Sequence, residues 1–336
     1  MRGLNYIVLR LGERMAVLFA VVIINFFIFV VLPAIAHVNP AALYLPKSTE
    51  GINGHEYALQ LANLERVFGL DQPLSVRFVK YIVAMYTFNF GLDYTGSPVL
   101  TIIESHFWFT FMIIIPALII STMMAISMGV YAASKKGKVA DHASSLLFQL
   151  TYNIPSFWVA IIILVIFGGI LRWFPLSLTS ALIYANGSHV VGLAYYEHLL
   201  WAATLPIITL SFLSFGARAL LMRNNSVDSL ESDFVTQARV RGVRESKIMS
   251  RHVRRNSILP VFTRVGIDVA FLLSGIVFIE YAFNFTGLGS LLVTAALSYD
   301  IPFLEADFFV ISLMAVMIFL VMDLVYPLLD PRVRYG

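Results

Sequence analysis

The sequence predicts an all-α, polytopic membrane protein with six transmembrane helices and both termini in the cytoplasm. Three observations carry that expectation. The chain is 59% hydrophobic and only 13% charged, against about a quarter charged in soluble proteins, and its mean hydropathy of +0.82 exceeds what a water-facing surface allows. Six apolar runs are each long enough, at ~1.5 Å per residue, to cross a hydrocarbon core of about 30 Å. The basic residues, finally, crowd one side of those runs.

The first run, about 15–36, lacks a small-x-small cleavage site ahead of a polar sequence and reads as an uncleaved, anchored span. Residues 37–106 form the largest external segment. Within it Glu56–Phe68 and Pro73–Tyr86 repeat apolar residues every three or four positions and read as helices. Leu59, Leu61, Leu64, Val76, Val79 and Val83 are expected to pack them down as a cap on the outer face of the bundle. The second and third spans fall at about 107–133 and 146–171, the fourth, fifth and sixth at about 200–222, 261–283 and 307–329. Residues 173–199 and 284–306 read as shorter external turns, where Asn186-Gly-Ser188 and Asn284-Phe-Thr286 are candidate glycan acceptors. No internal repeat or flexible linker interrupts the chain, so 1–336 reads as a single membrane domain.

With the N-terminus inside, only Lys47, Arg66, Arg77, Lys80 and Arg172 of the 23 Lys and Arg lie outside. Translocating basic residues is disfavoured, so this asymmetry places both termini in the cytoplasm. The net charge of +3 therefore marks topology and a docking surface rather than nucleic acid.

Several chemistries lack their parts. Without cysteine there are no disulfides and no thiol catalysis. The nearest approach to a phosphate-cradling loop, Ser134-Lys135-Lys136-Gly137-Lys138, has Ala132 in place of its first Gly and Val139 in place of the magnesium-holding Ser or Thr. The seven His are scattered, with no two at ligand spacing on one helix face, and no nucleophile turn is present. No catalytic residue and no metal site are expected.

The internal segment 223–264 is the one cytoplasmic stretch large enough to meet another protein. Asp228 to Val240 reads as a short helix whose acidic start suits the positive end of the helix dipole. Gly242 breaks it. A second helix from Glu245 towards Ile258 puts Arg244, Lys247, Arg251, Arg254 and Arg255 on one face, and Leu259-Pro260 closes it where Pro can start the fifth span. On physics alone such a basic unit binds lipid headgroups or a protein partner.

The spacing Thr236-Gln237-Ala238-x-x-x-Gly242, followed by Ile258-Leu259-Pro260, resembles the "EAA" loop of ABC-importer permeases, in the longer-spaced version of the dipeptide/oligopeptide/nickel class. Leu70-Asp71-Gln72-Pro73-Leu74 and Phe90-Gly91-Leu92-Asp93 resemble that class's external segment, and Ile154-Pro155-Ser156-Phe157-Trp158 its third span. Glu280, Phe283 and Gly287-Leu288-Gly289 resemble the segment after the fifth span, and residues 326–336 the class's last residues. Two departures stand out: Thr236 and Gln237 replace Glu and Ala, and Ala36-His37-Val38-Asn39-Pro40 replaces a Pro-Gly-Asp-Pro-like run.

The resemblance implies a type I ABC importer permease architecture and the B-type subunit of a two-permease system. It makes 228–242 a coupling helix seated in a groove of a separate ATPase, with Thr236, Gln237, Ala238, Arg241, Gly242, Arg244, Lys247, Ile258, Leu259 and Pro260 as the coupling set. Ala238 would present a small side chain for close seating, and Gly242 would permit the reversal after it or serve only as a helix cap. The implied partners are a second permease subunit in a heterodimer, two ATPase subunits, an extracellular solute-binding protein and membrane lipid. This chain would bind no cofactor, ATP and Mg belonging to the ATPase subunits, and would be multi-pass in the cell (plasma) membrane. Peptide is the implied cargo, with oligosaccharides or nickel complexes on the same machinery as alternatives. A self-sufficient channel or secondary carrier is the reading from a different class.

Polar groups inside spans are costly, so each raises a functional question. Asp268 stands four residues after Arg264 and reads as an ion-pair or pathway group. Gln149 and Asn153, ahead of Pro155, either line a translocation pathway or satisfy backbone freed by a kink. Glu280 and Asp323 read as anchoring or interhelical groups near opposite membrane surfaces.

Overall fold

Apolar length dictates the elements. In the computed structural model, which describes residues 2–45, 54–184 and 187–329, the helices are α1 (Arg2–Phe26), α2 (Leu32–Ile35), α3 (Gly54–Val67), α4 (Leu74–Tyr86), α5 (Val99–Ser134), α6 (Val139–Asn153), α7 (Ser156–Ile163), α8 (Leu178–Ala181), α9 (Leu193–Leu230), α10 (Asp233–Val240), α11 (Glu245–Lys247), α12 (Arg254–Ala282), α13 (Leu288–Ser298) and α14 (Ile301–Leu329). π-helical turns fall at Phe27–Val31, Leu164–Ile170 and Ile248–Val253. Among the described residues four helical stretches are long and apolar enough to cross a membrane: Val8–Ile35, Val99–Ser134, Leu193–Leu230 and Ile301–Leu324. A fifth is the broken pair Val139–Asn153 and Ser156–Ile170, and the expected fifth span falls within the 29 residues of α12 except for its last residue, Phe283, which follows the helix end.

Three expected boundaries move. The third span is not straight: it bends by 102° between α6 and α7, because Pro155 pushes Ile154 into extended backbone (φ −76, ψ 133) and ends the helix there. The fourth extends to 38 residues, well beyond 200–222 at both ends. Residues 284–306 are not a turn, since they hold α13 and the start of α14. Asn284 is exposed, with positive φ (45°), while Asn186 lies outside the described residues.

The chain groups into two units, Met1–Phe107 with Leu291–Val316, and Trp108–Ser290 with Met317–Gly336. In the first, α1 buries Leu18, Val22, Asn25 and Phe26 at three- and four-residue spacing. The Phe26 ring meets Phe78 at 5.0 Å and Tyr81 at 5.4 Å. Asn25, fully buried, donates to the Glu305 carbonyl at 2.9 Å. The external helices form as expected to within two residues, but their packing faces do not: Leu59, Val76, Val79 and Val83 are exposed, and α4 buries Tyr81 and Met85 instead. Its apolar residues occupy two faces, and aromatic pairing with Phe26 selects the one carrying Phe78 and Tyr81.

In the second unit α9 packs along α12, α6 and α7. Phe148 and Phe215 meet edge to face at 5.8 Å within a cluster that includes Ala125, Ala132 and Ala219. Beside them Gly216 lets α6 and α9 touch at backbone distance: a Cβ there would stand 2.1 Å from Thr151 Oγ1 and 2.3 Å from the Phe148 carbonyl oxygen. Gly216→Ala is therefore expected to cost on the order of 1–3 kcal/mol, the range for overpacking, and to lower the thermal midpoint by several degrees. An unchanged midpoint would contradict so close a crossing.

Candidate functional site

The end of the second unit that carries residues 231–253 is built from short elements held by two long ones. Helix α9 continues to Leu230, so Asp228 belongs to its last turn rather than to a new helix. Ser232, in extended backbone (φ −78, ψ 153), then opens α10, with Asp233 in its first turn. Lys136, from the turn between α5 and α6, forms an ion pair with the exposed Glu231 and holds that carboxyl below its usual range. The end of α10 is a Schellman motif. The Gly242 N–H donates to the Arg239 carbonyl at 2.9 Å and the Val243 N–H to the Ala238 carbonyl at 3.1 Å, with Gly242 at φ 73°. Arg239 braces the reversal through an ion pair with Glu245 at 2.7 Å.

The expected second helix is replaced by three pieces. Helix α11 is three residues long, a π turn spans Ile248–Val253, and α12 runs from Arg254 through Pro260 without ending there. The π turn brings Ile248 and Val253 to one side, where they form a small core with Val235 and Ala238 of α10. Pro260 costs α12 one backbone hydrogen bond but does not close it. Ile258 packs with Ile126, Met222 and Val261. Ser257 donates to the Asn225 carbonyl at 3.0 Å and accepts from the Ser229 hydroxyl at 2.9 Å, tying the start of α12 to the end of α9.

This arrangement places Ala238 inside the loop. Its methyl is buried against Ile248 and Val253, so its small size permits close packing inside the loop. The outward surface consists of Asp233, Phe234, Thr236, Gln237, Arg239, Val240, Arg241, Gly242 and Arg244. Phe234 is 39% and Val240 84% exposed, and sequence reasoning singled out neither. The signal was present, since both fall off the Val235/Ala238 stripe. Arg244, Lys247, Arg251, Arg254 and Arg255 are all exposed.

The span residues lie elsewhere. Asn153 donates its amide to the Gln149 carbonyl at 2.7 Å at the broken helix end, and both side chains are exposed. Asp268 accepts from Arg264 at 2.8 Å and lies 3.0 Å from Nε of Arg218. Arg218, counted with the cytoplasmic cations by sequence, is instead fully buried, and also donates to Ser121 at 2.8 Å and to Thr122 of α5. Fifty residues of separation concealed that partner. Glu280, also fully buried, accepts from the Thr110 hydroxyl at 2.7 Å and the Ser290 N–H at 3.0 Å. A Cβ at Gly287 would stand 2.2 Å from its Oε1, which explains why the Gly-Leu-Gly run follows this helix.

Comparison with known proteins shows the family. A family model described as "binding-protein-dependent transport system inner membrane component" matches residues 125–335. The chain is 31% identical over 332 residues to the dipeptide transport system permease protein DppB of Lactococcus lactis subsp. cremoris (strain MG1363), covering 98% of this chain and 99% of the relative. It is 31% identical over 335 residues to the probable peptide ABC transporter permease protein y4tP of Sinorhizobium fredii, covering 98% and 99%. It is 30% identical over 334 residues to the glutathione transport system permease protein GsiC of Escherichia coli (strain K12), covering 99% of each.

Proposed function

We propose, from the premise that this chain belongs to the family of binding-protein-dependent transport system inner membrane components, that it is the B-type permease subunit of an ATP-driven peptide importer. Peptide is the cargo because the similar proteins are described as dipeptide, peptide and glutathione permeases. The chain pairs with a second, distinct permease subunit, receives cargo from an extracellular solute-binding protein and is driven by two ATPase subunits that hold ATP and Mg. The observation that carries the reading is the construction of α10. It is a short helix locked at both ends and backed by its own core, presenting Phe234 and Val240 amid Arg239, Arg241 and Arg244.

Such a surface suits a groove with apolar floor and acidic rim in the ATPase. Movement imposed on α10 passes directly to α9 through Leu230, and to α12 through the π turn, so closure of the ATPase pair rotates two spans together. Gln149, exposed one turn before the break in the third span, is the group we assign to the pathway; Asn153 and Asp268 hold backbone and helix packing.

The test is the double variant Phe234→Ala, Val240→Asp in the assembled importer. Because both side chains are exposed, fold stability should change by no more than about 0.5 kcal/mol for each, while ATPase co-purification and ATP-driven uptake fall at least ~10-fold, the loss expected when central apolar anchors are removed. Normal co-purification would contradict the docking role. Solute flux by this chain alone in liposomes would overturn the importer reading.

A further inference from the structure

Within the unit Met1–Phe107 with Leu291–Val316, helix α4 has a second apolar face that nothing in the unit covers. Val76, Val79 and Val83 recur at i, i+3 and i+7 and are exposed, Val79 at 60%. Beside them lies a cavity of about 930 Å³, within the size range of small-molecule sites. Its apolar walls include Phe26 and Phe29 of the first span together with the exposed Val79 and Val83. Its charged groups include Arg77 and Lys80, one turn apart on α4, and Glu305 near the start of α14.

The chemistry of the walls selects an occupant. On the same span Ile23, Ile24, Phe27 and Ile28 are also exposed, on a helical stretch long and apolar enough to cross lipid. Two cations one turn apart on the wall of an apolar groove suit a phosphate ester. Burial lowers the pKa of the Arg77 guanidinium, and the Glu305 carboxylate opposes that shift, so acid and base share the cavity. Arg66 and Asp93 also line the cavity, and a headgroup with only hydroxyls would offer no cation to the carboxylates of Glu305 and Asp93. A quaternary choline has no N–H to donate, whereas a primary ammonium offers three donors, as a lysine does.

We propose that this groove holds one outer-leaflet phospholipid with a phosphoethanolamine headgroup, its phosphate on Arg77 and Lys80, its ammonium at Glu305, and an acyl chain along Phe26, Phe29 and the valine stripe. Helix α4 is then an interfacial helix, apolar toward acyl chains and basic toward headgroups. The bound lipid fills the face that aromatic pairing with α1 leaves bare. The assignment requires that the chain sits in a bilayer with α4 at the outer surface, and does not depend on its cargo.

The experiment is mass spectrometry of the full chain extracted in mild detergent from bilayers containing equal phosphatidylethanolamine and phosphatidylcholine. The chain should retain one phospholipid, enriched in the ethanolamine form. Arg77→Ala with Lys80→Ala should reduce retention roughly thirty-fold, the combined contribution of two cations near a lipid surface. Glu305→Gln should keep phospholipid bound but abolish the preference for ethanolamine over choline. A benzophenone side chain in place of Val79 should yield, on irradiation in membranes, an adduct of phospholipid mass. No retained lipid, equal retention of the two headgroups by the unaltered chain, or an adduct to a protein subunit would each overturn the proposal. Because the readout is lipid mass, it is independent of whether peptide uptake is observed.

Discussion

Arg218→Met is expected to destabilise the second unit by about 3–5 kcal/mol, the range for breaking a buried ion pair from one side. Its guanidinium is fully buried and lies 3.0 Å from Asp268, while donating to Ser121 and Thr122 on α5 and to the Ser214 carbonyl at 3.0 Å on its own helix. Without it, Asp268 retains only Arg264, which is itself partly exposed and belongs to the same helix. The tie between α5, α9 and α12 is then gone. A fall in thermal midpoint on the order of 10 °C follows, taking about 2–4 °C per kcal/mol for a unit of this size. The double variant Arg218→Met, Asp268→Leu should recover most of that loss, because a buried pair replaced by apolar side chains is often neutral. A single variant as stable as the original chain, or a double variant no better than the single, would falsify this account.

The second large effect is on transport. Gly242→Val is expected to reduce ATP-driven uptake at least ~10-fold while leaving insertion and abundance intact, since the left-handed backbone costs a non-glycine residue roughly 1–2 kcal/mol. Gly242 sits at φ 73° and closes α10 through its own N–H and that of Val243. A Cβ there meets nothing within 4 Å, so conformation and not crowding within this chain sets the requirement. Gly242→Asn should therefore keep much of the activity, because Asn tolerates the left-handed region far better than a β-branched residue. Uptake in proteoliposomes decides the matter: full activity of the Val variant sinks the coupling role of this reversal.

The span pattern was legible because a bilayer demands apolar length, and apolar length is a one-dimensional property. The same holds for Gly242, whose helix-ending role follows from the absent Cβ. Arg244, Lys247, Arg251, Arg254 and Arg255 are exposed, but the π turn at Ile248–Val253 breaks the single helix face that their spacing predicts. The bend at Pro155 was only half legible. Proline announces a break, but its 102° angle depends on what α6 and α7 each pack against, namely α9 for both and α12 for α7.

Sequence alone therefore determined the helical membrane class and the glycine reversal that ends α10. These depend on composition and local spacing. The tertiary structure decided what each ambiguous side chain faces. Ala238 turned inward because the π turn at Ile248–Val253 supplied it a core, leaving Phe234 and Val240 outside. The valines of α4 turned outward because Phe26 took the aromatic face. Arg218 left the cytoplasmic count because Asp268, fifty residues on, met it inside the bundle. In each case the residue had two physically acceptable environments along the chain, and only a neighbour distant in sequence could choose between them.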